Sequence, residues 1–488
     1  MGKLRSIMLV GTGSDVGKSV LVAGICRILK QEGYHPAPFK AQNMSLNSFA
    51  TPEGLEIGRA QATQAEACGI PCHTDMNPVL LKPTSKMSSQ VVLHGKPLGN
   101  QSAKDYFMGN NRAHLFEEVC GAYRNLSARF SPIVMEGAGS ISELNLKHRD
   151  IVNMRMAKEA NAQVYLVADI DRGGVFASVY GTIALLEEWE RKLVKGIIIN
   201  KFRGDASLFE DGKKKIEELT GLPVLGVVPF AEDIYIEDED SVALSRRKFE
   251  ASQDLINIGV VLLPHISNYT DFNMLERDER ANLFYTREAE ELAKADIIIL
   301  PGSKNTIRDL LFLRKTGLAK VILQASQQGK KVVGICGGFQ MMGEWISDPH
   351  GVESDTEVVP GLGILPVSTK LTQEKTTVER SFYFKNQSDL CKGYEIHMGE
   401  TSSEKASPLN RYDDKTEGYL LSDDCWGSYM HGIFDNQCVI DDSLGSVKEG
   451  ESLSYEAFKE ENYDKLADLL RSCLDMEKVY QHMRESAE

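Results

Sequence analysis

The sequence lacks several features that would place a protein in a familiar class at once. No apolar run approaches the ~20 residues that a helix needs to span a bilayer. Basic residues are outnumbered by acidic ones, and the formal net charge of −15 argues against a nucleic-acid backbone as the main partner. There is also no internal repeat and no low-complexity tract. These absences argue against an integral membrane protein and against nucleic acid as the main partner, and they favour a globular protein.

A disulfide framework is also not expected. Nine cysteines, an odd number, are spread over 488 residues, a pattern typical of a reducing compartment. Cys68 and Cys72 are close in sequence, but no second pair or histidine cluster completes a zinc site, so we interpret both as core residues. Residues 1–5 lead directly into a short apolar strand and not into the core of a signal peptide. We therefore expect a soluble, cytoplasmic protein.

The apolar pattern predicts more than one domain, as the chain length also suggests. In residues 1–232, continuous apolar runs alternate with helical segments, which is typical of parallel strands buried on both faces of a doubly wound α/β domain. Residues 233–255 are polar and charged, and we interpret them as a linker; a solvated loop within one domain is the alternative. A second α/β series occupies residues 256–488, and its tail beyond about residue 452 is predicted to be helical.

A glycine-rich loop follows the first apolar run. Residues 11–19 read Gly-Thr-Gly-Ser-Asp-Val-Gly-Lys-Ser, although Thr12 departs from the strict G-x-x-x-x-G-K-[ST] pattern. The backbone N–H groups of such a loop point at a phosphate, Lys18 would add a positive charge, and Ser19 could bind Mg²⁺. A purely structural turn is the alternative. The candidate ATP-binding residues in the loop are Gly13, Ser14, Asp15, Val16, Gly17, Lys18 and Ser19.

This loop resembles that of dethiobiotin synthetase and its relatives, which pass an ATP phosphoryl group to a carboxylate-type oxygen. The resemblance implies that Glu136, in a Glu-Gly-Ala-Gly sequence, is a second Mg²⁺ ligand, and that Asn200, at the end of a predicted strand, contacts the nucleotide base. Helix capping by Glu136 and a strand-end turn at Asn200 are the alternatives.

Two clusters of polar residues, 145–154 and 169–176, lie next to predicted strands and could face the same crevice. Surface loops with capping aspartates are the alternative interpretation. The candidate substrate-binding residues in these clusters are Asn153, Asp169, Asp171 and Arg172.

A second candidate site centres on Cys336. The surrounding glycines allow a sharp strand-to-helix turn, which is where a fold exposes a nucleophile. A cysteine attacks an amide as the thiolate, so it needs a histidine that takes its proton and later protonates the leaving ammonia. His431, flanked by Gly432, is the best partner among ten histidines. Backbone N–H groups at Gly302 and Gly337 could stabilise the oxyanion.

This arrangement resembles the class I, or triad, glutamine amidotransferases. Those enzymes usually carry a glutamate two residues after the histidine, and Ile433 occupies that position here. The third member of the site is therefore unassigned, and Cys336 and His431 could also work as a dyad.

The resemblance extends to residues 38–47, 75–83 and 200–205, which are similar to segments of the glutamine-hydrolysing cobyric acid synthases. It implies Cys336 as nucleophile and His431 as base, ATP and Mg²⁺ as cofactors, and L-glutamine and a corrinoid as substrates. The implied reaction is amidation of the b, d, e and g carboxylates of adenosylcobyrinic acid a,c-diamide through an acyl phosphate, in cobalamin biosynthesis. A homo-oligomer is possible.

Two alternatives remain open. One is the sister enzyme that amidates the a and c carboxylates of cobyrinic acid. The other is a regulatory P-loop ATPase fused to an inactive amidotransferase-like module.

Overall fold

Short apolar runs separated by helices form the strands of two α/β domains, which confirms the predicted fold class. The computed structural model describes residues 4–85, 88–102, 112–231, 233–237, 251–354, 356–413, 415–445 and 454–484.

The first domain contains twelve described strands and seven described α-helices. Its strands are β1 Ile7–Gly11, β2 Ala37–Phe39, β3 Gln42–Met44, β4 Ser48–Ala50, β5 Glu56–Gly58, β6 Val79–Ser85, β7 Ser88–Leu93, β8 Lys96–Ser102, β9 Ile133–Ser140, β10 Gln163–Asp169, β11 Val194–Phe202 and β12 Val224–Pro229. Its helices are α1 Lys18–Gln31, α2 Arg59–Cys68, α3 Arg112–Arg129, α4 Met154–Glu159, α5 Val175–Leu185, α6 Glu188–Leu193 and α7 Glu210–Thr220.

The main sheet of this domain has six parallel strands in the order β12-β11-β10-β1-β9-β2. The central strands β1 and β10 are buried along their whole length, as expected for apolar strands covered on both faces. The chain passes from β9 to β10 across β1, so the strand order reverses there. In open α/β sheets a ligand crevice forms at the carboxyl ends of the strands at such a point, and the glycine-rich loop follows β1.

A smaller unit is inserted between β2 and β9. It consists of the four-stranded sheet β3-β6-β7-β8 and the antiparallel hairpin β4–β5. The hairpin reaches the second domain, where Ala50 and Phe49 pack with Tyr394 and Ile396. The insertion therefore joins the two domains.

The second domain contains fifteen described strands. They are β13 Ile256–Val261, β14 Ile266–Ser267, β15 Ala281–Thr286, β16 Ile297–Leu300, β17 Gly302–Ser303, β18 Lys331–Ile335, β19 Trp345–Ser347, β20 Val358–Pro360, β21 Ser368–Phe384, β22 Leu390–Ser402, β23 Asn410–Tyr412, β24 Lys415–Glu417, β25 Tyr419–Ser422, β26 Cys425–Ser428 and β27 Met430–His431. The helices that follow the first domain are α8 Asn273–Arg277, α9 Ala289–Leu292, α10 Thr306–Lys315, α11 Leu318–Gln327, α12 Gly337–Met342, α13 Gln437–Leu444, α14 Tyr455–Cys473 and α15 Met476–Arg484.

Its central sheet has the order β15-β13-β16-β18-β26-β25 and is parallel except for the edge strand β25. A second, mostly antiparallel sheet consists of the six strands β19 to β24 and of β27. One apolar core runs between these layers and includes the side chains around Cys336.

The tail that the sequence analysis placed with the second domain forms the helices α14 and α15, and these helices pack on the first domain. Leu466 and Leu470 of α14 pack so closely on Gly24 of α1 that a Cβ there would lie 2.4 Å from Leu470. Arg27 forms an ion pair with Asp464 at 2.7 Å. The last helices therefore complete the core of the first domain, because α1 presents an apolar face that the tail covers.

Most of the predicted linker, residues 238–250, lies outside the described residues. Its first part is not a free loop, since Ile234 and Ile236 pack against the core beneath α14. The Glu237 carboxylate is buried and accepts hydrogen bonds from Arg59 and from the Tyr455 hydroxyl. Among the helices of the described ranges, none is long and apolar enough to cross a membrane.

Two candidate active sites

The glycine-rich loop curls between the end of β1 and the start of α1. Gly17 caps α1 with φ 90°, a left-handed conformation that favours glycine. The Asn200 side-chain amide donates to the Val16 carbonyl at 2.8 Å and lies where a Cβ of residue 17 would be. The structure thus places Asn200 beneath the loop, as a residue that shapes it.

Lys18 folds back over the same loop. Its ammonium donates to the carbonyls of Gly13 at 3.1 Å and Gly139 at 3.3 Å, and the side chain is buried. A cation held among backbone groups at a helix N-terminus provides a site for phosphate oxygens. The loop that follows β1 and the last residues of β9 therefore meet at Lys18.

Glu136 lies at the centre of this first site. Its buried carboxylate accepts hydrogen bonds from the Ser19 hydroxyl at 2.8 Å, the Lys40 ammonium at 3.0 Å and the Gln64 amide at 2.9 Å. The structure brings together the two residues predicted to bind Mg²⁺. A hydroxyl and a carboxylate beside a phosphate loop fit Mg²⁺, which takes one or two protein oxygens and completes its shell with phosphate and water. The described residues contain no group of three His, Cys, Asp or Glu side chains suited to a metal.

The candidate substrate residues surround the loop but do not form one surface. Asn153 pairs with both backbone groups of Ala138 at 3.0 Å and so supports the end of β9, beyond Glu136. Asp169 contacts Lys201 at 3.1 Å, and Arg172 contacts Asp15 of the loop at 3.1 Å.

Asp171 pairs with Arg203 at 2.7 Å, farther out on the same edge. The Arg172 side chain is half exposed, so the pair that it forms with Asp15 borders the mouth of the crevice.

The second site begins at a strained turn. Cys336 connects β18 to α12 with φ 51° and ψ −109°, a backbone conformation that is costly for a residue with a side chain. The turn depends on Gly338, where a Cβ would lie 1.9 Å from the Leu300 carbonyl oxygen. The predicted sharp turn is present, and it presents the thiol at the carboxyl end of the central sheet.

His431 lies beside the thiol and is held by an aspartate that sequence reasoning missed. The His431 Nδ1 atom lies 2.7 Å from Asp271 Oδ2, and the Gly432 amide donates to Asp271 Oδ1 at 3.0 Å. Asp271 belongs to the short 3₁₀ helix Tyr269–Phe272. Ile433 is apolar and cannot pair with the histidine, so Asp271 is the candidate for the third member of the site. No spacing rule links Asp271 to the histidine, so the pattern carried no signal for it.

The electrostatics of this trio favour an imidazolium. Burial by itself would lower the pKa of His431, but the Asp271 carboxylate and the Cys336 thiol outweigh it and raise the pKa to about 10. A side-chain hydrogen bond joins His431 to Cys336. An imidazolium beside a thiol stabilises the thiolate, which is the nucleophilic form.

The His431 ring is also held from the side. The ring of Tyr394 stacks on it with centroids 5.3 Å apart. The Tyr394 hydroxyl accepts a hydrogen bond at 2.9 Å from the Asn268 amide, which also donates to the Ser48 carbonyl at 2.9 Å. Because Ser48 belongs to the β4–β5 hairpin, whose Phe49 ring also packs on Tyr394 with centroids 4.6 Å apart, the first domain supports the second site.

The predicted oxyanion residues Gly302 and Gly337 lie close to the members of this site. A Cβ at Gly302 would lie 3.2 Å from the His431 ring, and a Cβ at Gly337 would lie 2.8 Å from the Ser303 amide nitrogen. We therefore add the Ser303 N–H to the candidate donors. The turn is fixed by Asp309, which accepts from the Ser303 hydroxyl at 2.7 Å.

The two halves of the chain match two family models. Residues 7–242 match the "CobQ/CobB/MinD/ParA nucleotide binding domain". Residues 257–439 match the "CobB/CobQ-like glutamine amidotransferase domain". The first match contains the phosphate loop, and the second contains Cys336, His431 and Asp271.

Relatives that align with almost the whole chain support the matches to both family models. A cobyric acid synthase of Bacteroides fragilis is 57% identical over 491 residues, and one of Parabacteroides distasonis is 58% identical over 492 residues; each alignment covers 99% of both chains. A cobyric acid synthase of Syntrophobacter fumaroxidans is 47% identical and covers 98% of both chains. The chain therefore belongs to the cobyric acid synthase family of glutamine-dependent ligases.

Proposed function

We propose that this protein uses ATP and glutamine to amidate the b, d, e and g carboxylates of adenosylcobyrinic acid a,c-diamide, giving adenosylcobyric acid. The proposal rests on one observation: two sets of functional side chains are assembled in the same chain. One is a phosphate loop with Lys18, Ser19 and Glu136, and the other is a thiol–imidazole–carboxylate trio. The corrinoid substrate is inferred from the family.

The second site supplies ammonia. The Cys336 thiolate attacks the amide carbon of glutamine, and the backbone N–H groups of Ser303 and Gly337 stabilise the oxyanion. His431 then donates its proton to the nitrogen, and ammonia leaves. A water molecule, deprotonated by the neutral His431, cleaves the thioester, releases glutamate and restores the thiol.

The first site activates the carboxylate. A carboxylate is a poor acyl donor, and transfer of the ATP γ-phosphoryl group to one of its oxygens gives an acyl phosphate that ammonia can attack. Lys18 would hold the phosphate oxygens and balance the charge that moves between them. Ser19 and Glu136 would hold Mg²⁺, which neutralises phosphate charge. Ammonia forms the amide bond and inorganic phosphate leaves.

Contacts between the domains support a single, coordinated enzyme. Lys375 of β21 forms an ion pair with Glu56 of the hairpin, and Glu56 also pairs with Lys82 at 2.6 Å. All three side chains are buried, so the two domains share one buried charge cluster. A fixed contact of this kind between the domains favours direct use of the ammonia released at Cys336.

The test is mass analysis of the corrinoid products formed from adenosylcobyrinic acid a,c-diamide with ATP and Mg²⁺. Wild type, Cys336→Ala and the control Cys473→Ala would each receive glutamine or ammonium as nitrogen donor. We expect up to four added amides for wild type and the control with both donors, and for Cys336→Ala with ammonium alone.

Failure of wild type to modify this corrinoid with either donor would disprove the proposed substrate. The same assay with cobyrinic acid would then examine the a,c-amidating alternative.

A further inference from the structure

Two neighbouring side chains of opposite charge lie at the second site without pairing with each other: Lys304, which interacts with the Cys336 thiol, and Glu353, which interacts with Lys304. Lys304 follows strand β17, and Glu353 lies in the segment between β19 and β20. Each is half-buried. Their charges attract, but no ion pair or hydrogen bond joins the two side chains in the described part of the chain. Both charges are therefore available to a ligand.

Lys304 is anchored at the edge of the site. Its amide donates to the His265 carbonyl at 2.9 Å, and the next residue, Asn305, caps α10 by accepting from the Arg308 amide at 3.1 Å. Its ammonium interacts with the Cys336 thiol as well as with Glu353. Burial and, to a smaller extent, the neighbouring Lys82 lower the pKa of Lys304. An anionic ligand would stabilise the charged form of this side chain.

Glu353 is anchored to the same structure. Its carbonyl accepts from the Asn305 side-chain amide at 3.2 Å, and its carboxylate lies 3.4 Å from both the Ile307 amide and the Thr306 hydroxyl at the start of α10. Burial raises its pKa to about 7 in spite of Lys304 and these N–H and O–H groups. A cationic ligand would stabilise the ionised form.

The carboxylate is also tied to the helix that carries the nucleophile. Thr306 donates to the Gln340 side chain at 3.0 Å, and Gln340 belongs to α12, which begins directly after Cys336. A ligand that bridges Lys304 and Glu353 would therefore be held in a fixed position relative to the thiol.

Glutamine has the complementary chemistry. Its α-carbon carries one carboxylate and one ammonium, and its reactive amide is three carbons away. We propose that Lys304 binds the α-carboxylate of glutamine and Glu353 binds its α-ammonium, so that the side-chain amide lies against Cys336. This inference rests on the proposed role of Cys336 as glutaminase nucleophile, and it assigns substrate selection to two residues outside the trio.

The experiment measures hydrolysis of three amides by the full-length protein. They are glutamine, 4-carbamoylbutanoate, which lacks the α-amino group, and 4-aminobutanamide, which lacks the α-carboxylate. The variants are Lys304→Met and Glu353→Gln, with the exposed Lys320→Met and Glu344→Gln as matched controls.

We expect Lys304→Met to raise the KM for glutamine by roughly 10- to 100-fold, the range for loss of one charge-assisted hydrogen bond, with little change in kcat. The same variant should leave hydrolysis of the amide without a carboxylate unchanged. Glu353→Gln should show the mirror pattern: a higher KM for glutamine and an unchanged rate with 4-carbamoylbutanoate. Both variants should retain full ammonium-driven amidation.

An unchanged KM for glutamine in both variants would overturn the inference. An equal loss with all three amides would also overturn it, because it would show a structural role within the interdomain charge cluster. Failure of wild type to amidate the corrinoid would count against the proposed function alone, since the comparison of amides needs only the glutaminase site.

Discussion

The two proposed active sites are built in opposite ways. The phosphate site comes mainly from one continuous stretch, residues 11–19, and Glu136 joins it from the adjacent strand. The proposed glutaminase site takes Asp271, Cys336 and His431 from three distant segments. A loop of consecutive residues can form wherever its strand and helix form. A trio from distant segments exists only when the whole domain has folded, so its geometry depends on residues that never touch the substrate.

The largest expected effect separates the two sites. Lys18→Met removes the cation that holds phosphate, so amidation should fall roughly 10³-fold with glutamine and with ammonium alike. Glutamine hydrolysis should persist, because Lys18 is remote from Cys336. The measurement is amide formation and glutamate release in parallel. An equal fall in both activities would contradict the division into two sites.

Asp271→Asn tests whether the distant aspartate acts through His431. The amide cannot stabilise the imidazolium, so we expect kcat for glutamine hydrolysis to fall roughly 10²- to 10³-fold. Ammonium-driven amidation should be unchanged. The exposed Asp389→Asn is a suitable control.

The pH profile of the same variant gives a second readout. The Asp271 carboxylate raises the pKa of His431, so its removal should lower that pKa from about 10. Loss of the protonated imidazole would then begin at a lower pH, and the alkaline limb of the glutaminase profile should move in the acidic direction. A profile that keeps its alkaline limb would show that Asp271 does not act on the histidine.

The C-terminal helices allow a test of stability that is specific to the first domain. Leu470→Ala should leave a cavity beside Gly24 and cost about 2–5 kcal/mol in the free energy of unfolding. We expect nucleotide-dependent amidation to be lost at a lower temperature than glutamine hydrolysis. Thermal unfolding followed with both activities would show this. Leu469→Ala, one position away on α14, is the matched control. Equal thermal loss of both activities would place the tail in a single cooperative unit.

The smallest effect concerns the contact between the domains. Asn268→Ala removes the hydrogen bonds to the Ser48 carbonyl and the Tyr394 hydroxyl. We expect a rise of roughly two- to fivefold in free ammonia released per amide formed, because a hydrogen bond contributes about 1 kcal/mol. Simultaneous assay of ammonia and corrinoid amides measures the ratio. An unchanged ratio would show that this contact supports structure alone.

The sequence predicted the features that depend only on residues close to each other in the chain. The phosphate loop, the glycines around Cys336 and the apolar strands are short patterns whose conformation follows from neighbouring residues. The helical tail was also evident from its periodicity. Its packing partner was not, because Leu466 and Leu470 specify an apolar face without specifying the helix that covers it. Asn200 and Asn153 were expected to face ligands, and the structure shows them bonded to the Val16 and Ala138 backbone.

By itself, the sequence determined the order of the elements, the two glycine-rich turns and the identity of the chemical groups that they present. Only the tertiary structure decided that Asp271 lies beside His431, that Ser303 lies beside Gly337, and that Lys304 lies near both Cys336 and Glu353. The physical reason is the distance along the chain over which each feature is set. Backbone conformation and apolar periodicity are set over a few residues, whereas the distances that define these sites are set by the packing of strands far apart in the chain.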